Sequence, residues 1–181
     1  MSFQRTRAAC SLSVVILSSA LSLASPMAAR GQQLEGLIAD GTLPRIPTKP
    51  ESVIKVDFVE QAGRTTYVLL NTRGPGTRSA IHSHDSGGVT CILKGQLTLF
   101  VEGKAPITRS AGDCYYMPSG LRMIAFNSGR ESAVYYDYFN FKAGTNLLTV
   151  REGGGCSSKD LQQFCPGNYL LRTEPDSHIG H

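Results

Sequence analysis

Between Val53 and Phe141 the apolar residues come in short runs of Val, Ile, Leu, Tyr, Phe and Thr, each cut off within ten residues by Gly, Pro, Asn, Asp or Ser. This texture predicts strands at Val53–Glu60, Thr65–Asn71, Ala80–Ser83, Val89–Leu93, Gln96–Val101, Pro106–Arg109, Cys114–Met117, Met123–Asn127 and Ser132–Phe141. The breaks include Gly74-Pro75-Gly76, Lys94-Gly95, Ser110-Ala111-Gly112 and Pro118-Ser119-Gly120. No stretch here shows the 3.6-residue period of an amphipathic helix. Many short strands at such spacing form a sandwich or barrel, so the expected fold class is all-β. The last run separates by alternation into Ala133, Tyr135, Asp137, Phe139 and Phe141 on one face and Val134, Tyr136, Tyr138 and Asn140 on the other. Either face would line the interior with aromatic rings around one polar group, and plain core packing is the simpler role for both sets.

The flanks have a different texture. Arg5 and Arg7 precede an apolar run from Ala8 to Ala24, and Ser25-Pro26-Met27-Ala28-Ala29 follows with small residues. This is the layout of a secretory signal peptide cut near Ala29, and the apolar run is short for a membrane span. Residues 30–52, with Gly31, Gly36, Gly41, Pro44, Pro47 and Pro50, read as an extended lead-in with room for one helical turn at Leu34, Leu37 and Ile38. The barrel then occupies 53–141. A C-terminal extension, 142–181, carries one further short strand at Leu147–Val150, a glycine hinge at Gly153–Gly155 and a frayed tail. A helical turn at Ser158–Phe164 and packing of Tyr169–Leu171 on the barrel are also expected.

Composition alters this picture little. The chain has 181 residues, 41% of them hydrophobic and 18% charged, as suits one domain with appendages. The formal charge of +4 falls to +2 when Arg5 and Arg7 leave with the signal, and no basic cluster or RNA-binding aromatic motif occurs. Nucleic acid is therefore not an expected partner. Of the five cysteines, Cys10 departs with the signal and Cys91, Cys114, Cys156 and Cys165 remain. An even number in an exported chain suggests disulfides. Cys156 and Cys165 are the local pair. Cys91 and Cys114 are left either to bond each other or to remain buried thiols. The expected location is the periplasm or the exterior, with no membrane span after cleavage.

The stretch with the most chemistry is Gly76 to Gly95. His82 and His84 are two residues apart, so in an extended chain both imidazoles point to one side. With them, Gly76 and Gly95 fall at the spacing of the first signature motif of the cupin superfamily, which the chain resembles. Gly112, Pro118, Gly120 and Asn127 match the second motif. The resemblance covers Val53 to Phe141 and implies a jelly-roll barrel, a double-stranded β-helix of two antiparallel sheets around a small cavity.

It also implies a metal centre of three histidines and one glutamate, from which this chain departs. Gly88 stands at the glutamate position and Met123 at the third histidine. The ligands expected from the resemblance are His82, His84 and Met123, and this set suits a transition metal, copper ahead of a hard ion such as Mn(II). Met123 is also readable as the flexible apolar filler that a methionine on a barrel wall usually is, and the two histidines as polar groups that hydrogen-bond a small ligand. An inward Asp137 would offer the oxygen that Gly88 lacks. Asp85 should face away and cap its own turn, Asp113 belongs to a turn, and Arg122 is solvated or meets an acidic ligand at the mouth. The readings in competition are an exported binder with a degenerate two-histidine cavity, a metal-dependent enzyme of oxygenase or isomerase type, and a packing module. Homodimerisation by sheet contact, as in many such proteins, is compatible with each.

Overall fold

A computed structural model of the protein describes residues 33–59, 63–142, 145–153 and 155–157. The expected signal peptide, the Cys156–Cys165 bond, the turn at Ser158–Phe164 and the segment beyond lie outside these residues.

Among the described residues, one short α-helix, α1 (Leu34–Ala39), precedes ten strands. They are β1 (Glu51–Val59), β2 (Arg64–Arg73), β3 (His82–Ser83), β4 (Gly88–Lys94), β5 (Gln96–Val101), β6 (Ile107–Ser110), β7 (Cys114–Met117), β8 (Met123–Phe126), β9 (Ala133–Lys142) and β10 (Thr149–Val150). All pairings are antiparallel. The first sheet has the order β1-β2-β9-β4-β7 and the second β10-β3-β8-β5-β6. Such interleaving of early and late strands in two sheets makes a double-stranded β-helix.

Two cores hold it together. Leu69, Ile92, Tyr115, Tyr135 and Phe139 of the first sheet pack against Leu97, Leu99 and Met123 of the second. The other core lies against Ile81 and Ile124 and is built from the lead-in, through Leu34, Leu37 and Leu43, each at most 2% exposed. Burial of one such leucine is worth roughly 1.5–3 kcal/mol, so the lead-in is an integral layer of the fold. Its one helical turn exists because Leu34 and Leu37 fall on a single helix face.

Two glycines are required where they stand. Gly95, in the turn from β4 to β5, has φ +71°, and a Cβ there would meet the Ser132 carbonyl oxygen at 3.0 Å. Gly88 is the other, because a Cβ there would strike the Phe139 ring. Cys91 and Cys114 face each other across β4 and β7 and form a disulfide, with Cα atoms 4.1 Å apart. Of the two states open to them, the structure has the bond.

Candidate functional site

His82 ends up opposite Met123 in the β3–β8 register, and His84 follows directly after β3. Both histidines are buried. Their ring centres are 4.9 Å apart and the rings meet edge to face at 82°, so the i, i+2 spacing does bring them together. His82 Nδ1 lies 2.8 Å from the Ala80 carbonyl oxygen, and His84 Nδ1 lies 2.5 Å from that of Leu147. A carbonyl can only accept, so each Nδ1 carries the proton and each Nε2 keeps a lone pair. His84 Nε2 is buried with no hydrogen-bond partner. Burial pushes His82 down to about 3, with the neighbouring His84 adding to the shift. His84 is likewise lowered by burial, against the opposing pull of the Leu147 carbonyl and Asp85. Both rings are therefore neutral in neutral solution, the state in which Nε2 binds a metal or accepts a hydrogen bond.

Both rings line a cavity of about 40 Å³, together with Arg73, Tyr135 and Asp137. By the measure in which one water needs ~10–15 Å³, this holds about three waters. An organic substrate of ordinary size does not fit without movement of the wall.

The alternation of β9 resolves with Ala133, Tyr135, Asp137, Phe139 and Phe141 toward the interior. Asp137 is thus inside. Its carboxylate accepts from Asn71 Nδ2 at 2.9 Å and from Thr90 Oγ1 at 2.5 Å. Burial raises its pKa to about 7, a shift opposed by the Thr90 hydrogen bond and by Arg73. Burial also raises Tyr135 to about 12 and carries Tyr115 well above the ordinary phenol value, so both phenols stay protonated. Arg73 is 3% exposed. Its Nη1 donates to the Thr48 carbonyl at 2.8 Å, while its buried Nε has no partner.

The glutamate position of the motif is closed. A Cβ on Gly88 would lie 2.5 Å from Phe139 Cε1 and 3.0 Å from Met117 Cε. Phe139 fills the space a glutamate would need and lies against His84, ring centres 4.8 Å apart. Met123 is fully buried in the core between the sheets and is not among the cavity-lining residues, whereas Met117 is. Among the described residues no group of three or more His, Cys, Asp or Glu side chains is placed to share a metal ion. The residues present therefore do not fit the four-ligand centre that the motifs imply. What they offer is a pair of imidazoles.

The remaining polar residues have other tasks. Asp85 does not cap its own turn; its Oδ2 accepts from the Asn146 amide at 3.0 Å and so ties down the segment that bears Leu147. Asp113 is a turn residue, accepting weakly from the Ser110 amide. Arg122 is engaged by Glu102 at 2.8 Å and by Glu35. Asn127 is a clamp, donating at 2.8 Å to the carbonyls of both Arg73 and Glu131. The sequence does not point to Arg73, because the strand expected at Thr65–Asn71 stops two residues short of it and Gly74-Pro75-Gly76 breaks the chain directly after. Continued by two residues, the alternation Leu69, Asn71, Arg73 would have turned it inward.

Residues 70–139 match a family model described as "Cupin domain". Comparison with curated proteins finds no match. Among solved structures, the chain is similar to a conserved double-stranded β-helix protein of Klebsiella pneumoniae, with 19% identity and TM-score 0.47 over 57% of this chain and 80% of that one. It is also similar to a cupin 2 conserved barrel domain protein of Salinispora arenicola, with 22% identity and TM-score 0.44 over 57% and 85%. Another similar structure is the oxalate decarboxylase of Bacillus subtilis, a protein with Mn(II) centres, at 20% identity and TM-score 0.40 over 53% and 30%.

Proposed function

Given that the chain belongs to the cupin superfamily through residues 70–139, we propose that it is an exported binding protein whose barrel cavity takes a small ligand or a transition metal on His82 and His84. One observation carries the reading. Both imidazoles donate Nδ1–H to backbone carbonyls, which turns each Nε2 into a fixed, neutral acceptor, and both rings line one cavity.

The donor set narrows the metal. With Gly88 closed by Phe139, a hard ion finds no carboxylate at the usual place. Two imidazoles with no carboxylate beside them among the described residues favour copper over a hard ion. Export is supported by the signal-like residues 1–29 and by the Cys91–Cys114 bond, which belongs to an oxidising compartment.

Asp137 favours a second reading, an enzyme, because a carboxyl that titrates near neutrality on the cavity wall can exchange a proton with a bound substrate. Binding is preferred, since the cavity of about 40 Å³ is too small for an organic substrate of ordinary size.

The test is elemental analysis of protein purified from the exported fraction, beside His82→Ala/His84→Ala. Copper near one equivalent in the wild type, with at least a tenfold loss in the double variant, is the expected result. Equal trace metal in both would reject metal binding, and retention of the protein in the cytoplasm would reject export.

A further inference from the structure

Arg73 is a buried cation of the barrel interior that Asp137 and Tyr135, on the same cavity wall, compensate only in part. It ends β2, lines the cavity at 3% exposure, and leaves Nε buried without a hydrogen-bond partner. Among the described residues no carboxylate forms an ion pair with it. Asp137, the acidic group of the same cavity lining, is held by Asn71 and Thr90. A guanidinium withdrawn from water needs a counter-charge and partners for its N–H groups, and a flat fork of donors suits two coplanar oxygens. On the same cavity, His84 Nε2 is a second buried atom without a partner. Two unsatisfied groups of opposite hydrogen-bonding sense on one small cavity call for a ligand with both kinds of atom. The volume of about 40 Å³ limits it to roughly three or four non-hydrogen atoms.

We propose that Arg73 anchors a subsite for a compact monoanion with two coplanar oxygens, a carboxylate of formate size, inside the barrel cavity. His84 Nε2 takes a proton-bearing group or a cation that enters with it. This rests on the cavity being the binding site, as read above, but not on the cavity holding a metal. It also accounts for the closed glutamate position, since the carboxylate that Gly88 cannot provide would arrive with the ligand.

Sodium formate is the probe, titrated into the chelator-treated protein at constant ionic strength, with sodium chloride and sodium benzoate as controls and the melting temperature as readout. The expected result is a saturable rise of several degrees with formate only. Arg73→Lys keeps the charge but loses the fork and should weaken the midpoint at least tenfold. Ala125→Met fills the cavity from β8 while leaving the Arg73 residue itself unaltered and should abolish the shift. No saturable shift in the wild type, an equal shift with chloride or benzoate, or an unchanged shift in Ala125→Met overturns the proposal. His82→Ala, which removes one metal-binding imidazole but neither Arg73 nor His84, separates the two readings: loss of metal with the formate shift retained supports both. A formate shift in wild type that carries no metal supports the subsite alone.

Discussion

Asp137 is the residue whose environment makes the sharpest statement about pH. Its pKa rises from an ordinary 3.8 to about 7 because burial disfavours the ionised form. Between those values the folded protein holds a proton that the unfolded chain has released, so stability falls as pH climbs through the window. The penalty is complete above about pH 7, and at roughly 1.4 kcal/mol per pKa unit it is on the order of a few kcal/mol. Asp137→Asn removes the titration. Whatever that variant loses at pH 5 through its altered bonds to Asn71 and Thr90, its stability should decline less steeply than the wild type's between pH 5 and pH 8. Urea unfolding at both values measures this, and parallel slopes would show that the carboxyl is already ionised in the fold. Gly88 is legible at the same scale only in part. Its place in the motif can be counted from the sequence, but that Phe139 fills the vacated space depends on β4 and β9 being neighbours, which no local pattern states.

Elements were easier to read than their ends. Runs such as Gln96–Val101 and Cys114–Met117 coincide with β5 and β7, because alternation and turn residues both bound them. The rim between β2 and β3 is different: Arg73 and Arg78 are polar, the sequence assigns them to a loop, and both are buried. Arg78 is paid for by non-local partners. Its guanidinium donates to both Glu152 oxygens at 2.8 Å, to the Arg45 carbonyl at 2.6 Å and to that of Pro44, while Glu152 Oε2 also accepts from the Ile81 amide. One ion pair thereby fastens the lead-in and the segment after β10 to the second sheet. Glu152→Ala leaves a fully buried cation unpaired and should cost roughly 3–5 kcal/mol in urea unfolding. Lys94→Ala, whose Glu131 pairing is more than half exposed on both sides, should cost less than about 1 kcal/mol. Similar losses for the two would refute the clamp.

At the scale of the whole molecule the two sheets differ in what covers them. The second sheet has its outer side layered by Leu34, Leu37 and Leu43. The first has no such layer among the described residues. Register places Val56 opposite Val68, Val68 opposite Tyr138, Tyr138 opposite Val89 and Val89 opposite Tyr116, so one apolar row crosses all five strands. Val56, Tyr138 and Tyr116 are 41%, 45% and 61% exposed, and Phe58 beside them is 60% exposed. A row that spans a whole sheet is self-complementary across a two-fold axis, and a second copy of the chain is the partner it suits. The protein is therefore expected to sediment as a dimer. Tyr116→Glu/Tyr138→Glu sets like charges against each other across that axis and should give monomers that melt lower but keep the two cavity histidines packed, because the cavity lies on the opposite face of the same strands. Wild-type protein that stays monomeric at every concentration, or a double variant that still dimerises, would exclude this face as the contact.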